Sequence, residues 1–107
     1  MAIKISEVIN VIRYNLKAFA PEAKGILYGS QARGDASKDS DIDILILLPD
    51  SYDNLTFTKR KLDISGMLYD LSLSLGVNIS PLVLAPKVFY ARKTPFTINV
   101  INDGIEI

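Results

Sequence analysis

Asp41 and Asp43 stand one residue apart at the head of the apolar run IDILILL. At i and i+2 of a strand, two side chains project from the same face. Carboxylates held that close repel, and keeping both ionised in a protein interior is costly. Water at the strand's beginning relieves the cost, and a bound divalent cation relieves it better. A pair of such ions is the clamp used for in-line phosphoryl chemistry. A bare Asp-x-Asp also describes a solvated turn, so the residues upstream decide between the two. Gly29-Ser30 follows a short apolar segment. Glycine allows a tight turn and close approach to a ligand, and the N–H groups of such a turn leading into a helical turn can cradle a phosphate. The Ser30 hydroxyl adds a donor. Arg33, one helical turn on, offers a fork of donors to a phosphate, or else pairs with Asp35 or Asp39.

The elements that must position these residues follow from periodicity. Ile5, Val8, Ile9, Ile12, Leu16 and Phe19 repeat at helical spacing, with Ser6 as a predicted N-cap and Pro21 closing the segment. Residues 25–28 read as a strand ended by Gly29. The polar stretch 30–40 has room for one helical turn. Residues 42–48 read as a strand apolar on both faces past Asp43, which calls for cover on both sides. A helix is predicted from about Asp53 to Leu75, with Ile64, Leu68, Leu71 and Leu75 as its stripe and Gly76 at its end. A third strand spans 77–84, and Pro81 inside it places it at a sheet edge or a bulge. Residues 86–92 suit a short helix. Thr94-Pro95 starts a last helix to about Asp103, and 105–107 form a tail or edge strand. The expected order is α-β-β-α-β-α, an α/β (α+β) fold with a small sheet packed by helices. The first two strands are joined too tightly for a crossover helix, so they are expected to be antiparallel neighbours in a mixed sheet.

The chain of 107 residues suits one domain, 1–107. Twelve basic residues balance twelve acidic ones, which leaves no electrostatic footprint for a broad nucleic-acid surface but permits a local nucleotide site. The absence of cysteine and histidine removes thiolate zinc sites, disulfides and the commonest general base. Any metal must take oxygen ligands, which favours Mg, Mn or Ca. No apolar stretch approaches membrane-spanning length and the N-terminus lacks a signal-peptide layout, so no membrane association and a cytoplasmic location are expected.

The stretch GSQARGDASKDSDIDILIL resembles the nucleotidyltransferase signature of the DNA polymerase β superfamily, Gly-Ser followed by Asp-x-Asp. Its GSQARG and SDIDILI forms and the short chain are similar to the minimal nucleotidyltransferases, often found with a partner of the HEPN class. The resemblance implies a nucleotidyltransferase core and Mg2+-dependent transfer of a nucleoside monophosphate, AMP foremost, from a triphosphate to a hydroxyl. In antitoxins of the family that hydroxyl is a tyrosine of the partner toxin. By position, Gly29 and Ser30 would hold the triphosphate with Arg33, and Asp41 and Asp43 would hold the metal and carry catalysis. A HEPN-type protein or further copies of the chain are candidate partners.

Fully equipped members of that family carry a third carboxylate on a later strand. Here the strand VNISPLVLA contains no acid, and Asn78 and Ser80 stand two apart on one face as possible third-ligand positions. Neither brings charge, and neither is a good proton acceptor. The chain is then either an enzyme working with two aspartates, or a weakened member acting by binding a partner or a nucleotide. A plain structural domain with a solvated acidic turn is the third reading. Asp63 and Asp70 read as solvated helix charges, and Lys59, Arg60 and Lys61 as a solvated face unless the helix start lies near the site. Phe89, Tyr90 and Phe96 read as core or interface aromatics, with base stacking as the other role. Arg33-Gly34-Asp35 has no secretory context for adhesion, and Gly34 simply suits a loop. Exposed apolar surface on the first or last helix would be the place for a partner to dock.

Overall fold

The computed structural model describes residues 4–36 and 40–107. The elements in chain order are α1 (Ile5–Phe19), β1 (Lys24–Tyr28), the single turn α2 (Ser30–Arg33), β2 (Ile42–Leu47), α3 (Asn54–Leu75), β3 (Ile79–Leu84), α4 (Pro86–Tyr90), α5 (Pro95–Asp103) and β4 (Ile105–Glu106). The four strands form one mixed sheet in the order β3-β2-β1-β4. β1 runs antiparallel to β2 and to β4, while β2 and β3 are parallel. The fold is thus the expected α/β arrangement of six principal elements, with the helical turn α2, the short helix α4 and the edge strand β4 where the sequence allowed for them.

The all-apolar stretch of β2 explains its central place. Ile42, Ile44, Ile46 and Leu48 face one side and meet Val8, Ile9, Ile12 and Leu16 of α1 and Ile64 and Leu68 of α3. Leu45 and Leu47 face the other side and meet Phe89 of α4 and Val100 of α5. β2 is covered on both faces, as its composition demands. Pro81 lies in the edge strand β3, opposite Ile44, where its missing N–H costs no ladder bond on the open side.

Two boundaries differ from expectation. Ser6 does not cap α1: the N–H groups of Glu7 and Val8 bond the Lys4 carbonyl, so Ser6 lies inside the first turn. β3 begins at Ile79 rather than Val77, because the Gly76 and Val77 N–H groups both bond the Ser72 carbonyl and close α3. Gly76 takes the left-handed conformation that ends the helix. Asp53 caps α3, accepting from the Thr56 N–H, and Thr94 caps α5 in the same way from Thr97. No helix among the described residues is long and apolar enough to cross a membrane.

The β2–α3–β3 connection sets the polarity of the molecule. α3 runs back against two parallel strands, so its start lies beyond the C-terminal end of β2 and its end returns near Asp41. Arg60, in the early turns of α3, bonds both carboxylate oxygens of Glu22, at 2.9 and 3.2 Å, and the Phe19 carbonyl at 3.0 Å. Its guanidinium also lies 5.3 Å from the Phe19 ring centre. Tyr52 donates to the same Glu22 carboxylate at 2.7 Å. Arg60 therefore ties α3 to the α1–β1 connection at the far end of the sheet, and the helix start is remote from the carboxylate pair.

Candidate active site

β1 ends in a turn that only glycine fits. Gly29 has φ +75°, in the region that side chains disfavour, and a Cβ there would stand 2.5 Å from Oδ2 of Asp43. The demand is therefore double, from backbone conformation and from close approach. The Gly29 carbonyl accepts from the Ala32 and Arg33 N–H groups and so winds Ser30–Arg33 into α2. Gln31 donates from Nε2 to the Ser40 carbonyl at 3.4 Å, fastening α2 to the residue before Asp41.

β2 then delivers the carboxylates. Asp43 is paired with Tyr28 on one side and Ser80 on the other. It shares the α4/α5 face of the sheet with Leu45 and Leu47, and Asp41 lies two residues before it on that face. Asp41 is exposed and Asp43 half-buried. Burial, and next the charge of Asp41, push the Asp43 carboxyl up from its ordinary range, while Arg33 opposes the shift. Two acids are thus held together at an energetic cost, in a place where a cation would remove it.

Asn78 and Ser80 reach the pair from β3 and the residue preceding it. Asn78 donates from Nδ2 to Oδ1 of Asp41 at 2.7 Å, and Ser80 from Oγ to Oδ2 at 3.5 Å. The structure brings together Gly29, Ser30, Asp41, Asp43, Asn78 and Ser80 around the N-terminal end of β2. Arg33 is exposed and pairs with Asp35 at 3.2 Å, yet its charge is still felt at Asp43. Asp39, its other expected partner, lies outside the described residues. Asp63 and Asp70 are exposed on α3, on the opposite side of the sheet from the pair.

Tyr28 is the site neighbour that residue types alone did not reveal. Its ring meets Phe96 edge-on at 5.4 Å, and burial, then the Asp43 charge, raise its hydroxyl's pKa. The alternation of β1 already placed Tyr28 beside the turn, but only strand pairing set it opposite Asp43. Phe96 in turn meets Phe89, which is buried, so these aromatics build the second core layer rather than an open stacking platform.

Among the described residues no group of three or more His, Cys, Asp or Glu is placed to hold a metal. The donor set fits a hard divalent cation through two carboxylates, with neutral oxygens beside them. The arrangement suits binding a metal-complexed polyphosphate between the Gly29 turn and the acid pair.

The family model described as "Nucleotidyltransferase domain" matches residues 8–105. The chain is 35% identical over 82 residues to MJ0141 of Methanocaldococcus jannaschii, whose name proposes protein adenylyltransferase activity; the match covers 77% of this chain and 75% of that protein. Among solved structures, a toxin–antitoxin with AMP-PNP superposes with TM-score 0.57 at 20% identity, covering 96% of this chain and 72% of that one. A proposed minimal nucleotidyltransferase superposes with TM-score 0.56 at 23% identity, covering 98% and 97%. At these identities the two structures share the fold.

Proposed function

This chain belongs to the nucleotidyltransferase domain family, and from that premise we propose that it moves AMP from ATP to a protein hydroxyl with the help of Mg2+. The acceptor oxygen forms a bond to the α-phosphorus, the bond from that phosphorus to the bridging oxygen breaks, and pyrophosphate leaves. The hydroxyl proton passes to solvent. The Gly29 turn and the Ser30 hydroxyl hold phosphate oxygens, and Arg33 adds positive charge. Asp41 and Asp43 would hold the metal, which neutralises phosphate charge when bound. Asn78 keeps Asp41 in the orientation that this requires.

The observation that carries this reading is the contact between Gly29 and Asp43. The turn and the carboxylate pair are built against each other: a methyl group at residue 29 would stand 2.5 Å from Oδ2 of Asp43 and push the carboxylate aside. The relative's name supports adenylyl as the transferred group, and the toxin–antitoxin neighbour supports a protein partner for the chain. The neutral Asn78 and Ser80 favour a second reading, in which the site binds nucleotide while the chain acts through its protein partner.

Calorimetric titration of the protein with ATP, CTP, GTP and UTP, with and without Mg2+, separates these readings. Mg2+-dependent ATP binding, weakened at least about tenfold in Asp41→Ala and Asp43→Ala, is expected, a loss of about 1.4 kcal/mol or more. Binding that both variants retain would sink the site assignment. Binding without transfer to any offered partner would select the second reading.

A further inference from the structure

The longest exposed apolar row lies on α3, not on the first or last helix. Leu55, Leu62 and Tyr69 recur every seven residues, and Lys59, Gly66 and Leu73 recur every seven residues between them. Phe57, Ile64 and Leu71, on the other side of the helix, face the core. The row therefore points directly away from the protein: Leu55 is 81% exposed, Leu62 66%, Tyr69 63% and Leu73 66%. A seven-residue repeat of this kind is the seam of a helix pair.

We propose that α3 is a self-association helix, pairing antiparallel with α3 of a second copy of this chain. Three observations select that occupant. First, the row is self-complementary in one antiparallel register. Leu55 and Leu73, Lys59 and Tyr69, and Leu62 and Gly66 lie nine, five and two residues to either side of Ile64. A two-fold axis at Ile64 sets each residue against its counterpart in the other copy. Second, charges and rings match in that register. Lys59 meets the ring of Tyr69, a cation–π pair, with the Asp70 carboxylate of the second copy adjacent. A parallel pair would instead set Lys59 against Lys59. Third, no close approach within one chain requires glycine at position 66. Gly66 is exposed at mid-helix, a Cβ there would meet nothing within 4 Å, and glycine is among the poorest helix formers. Against Leu62 of a second copy, the missing side chain becomes the hollow that a leucine fills, which allows the helix backbones to approach closely. The pairing leaves the carboxylate site open, because α3 and the site lie on opposite faces of the sheet.

The contact is one helix wide, so the dimer should be weak, with a dissociation constant on the order of micromolar. The test uses the full chain, whose lack of cysteine makes crosslinking clean. Sedimentation velocity should show a concentration-dependent dimer. In the double variant Leu55→Cys/Leu73→Cys the two cysteines of one helix are about 27 Å apart, too far to bridge. Oxidation should join two copies through both ends, while Leu55→Cys alone should remain uncrosslinked. Lys59→Glu should weaken the dimer about tenfold or more, and Lys59→Glu/Asp70→Lys should restore it. Circular dichroism confirms that each variant is folded. A chain monomeric at hundreds of micromolar would overturn the proposal and assign the row to a different protein. Crosslinking of Leu55→Cys alone would overturn the antiparallel register.

Discussion

Asp43 is held at a cost, and the cost has a sign that can be measured. Its folded-state carboxyl binds a proton more tightly than an unfolded one, chiefly because it is half-buried and then because Asp41 is charged. Ionisation therefore penalises the folded state. The penalty is absent below the ordinary carboxylate pKa of 3.8 and grows as pH rises through the raised folded value. Asp43→Asn, which keeps the shape and removes the charge, should melt at a higher temperature than the native chain at pH 7. The gain should vanish by about pH 3, where both proteins are neutral at this position. A variant that melts lower at pH 7 and gains nothing would show that Asp43 is structural rather than strained. The residue types around it were legible early, because Gly-Ser, Asp-x-Asp and a following apolar run each have a physical cause within a few positions. Tyr28 was not, since its role depends on the strand that pairs with it.

Among the elements, α3 carries two separate tasks. Its inner face, with Ile64 and Leu68, completes the larger core, and its first turns are tied down by the Arg60–Glu22 pair. The Arg60 hydrogen bonds, with help from Tyr52, hold the Glu22 carboxyl down to about 2 against an ordinary 4.5. A lowered folded value stabilises the protein above pH 4.5, and that contribution is lost as pH falls from 4.5 towards 2. The pair is about a quarter exposed, so solvent screening reduces its worth. Arg60→Met should cost about 1–2 kcal/mol in urea denaturation at pH 7, and the difference should shrink steadily below pH 4.5. A pH-independent difference would assign the loss to the Phe19 contact instead. Nothing in the composition of the basic run 59–61 hints that its members differ. Lys59 lies on the outer row, whereas Arg60 is fastened to a carboxylate thirty-eight positions away.

At the scale of the whole molecule, the sheet is a partition. One face packs α1 and α3, and the other packs α4 and α5 and carries the carboxylates at its end. Because the site draws on β1, α2, β2 and the start of β3, a ligand bound there holds four elements together and should stabilise the entire fold. With Mg2+ and ATP at one hundred times the dissociation constant, the stabilisation should be about 2.7 kcal/mol. Differential scanning fluorimetry should show a rise of several degrees that requires both components and is missing in Asp41→Ala. A rise with ATP alone of the same size would argue against a metal-dependent site.

Local patterns determined most of the framework: all six principal segments lie within two residues of their predicted ends, Pro81 falls on an edge strand, and β2 is buried on both sides. These outcomes rest on short-range causes, namely side-chain period, glycine and proline geometry, and continuous apolarity. The polar site residues were legible for the same reason. Tertiary structure decided what depends on partners distant in sequence. Asn78 and Ser80 became donors to Asp41 only through the parallel pairing of β2 with β3. Tyr28 came to face Asp43 only through the antiparallel pairing of β1 with β2. The outer row of α3 was hidden in a helix apolar on several sides, because spacing alone does not say which side the core will take. Only the packing of Ile64 and Leu68 against the sheet turned Leu55, Leu62, Tyr69 and Leu73 outward.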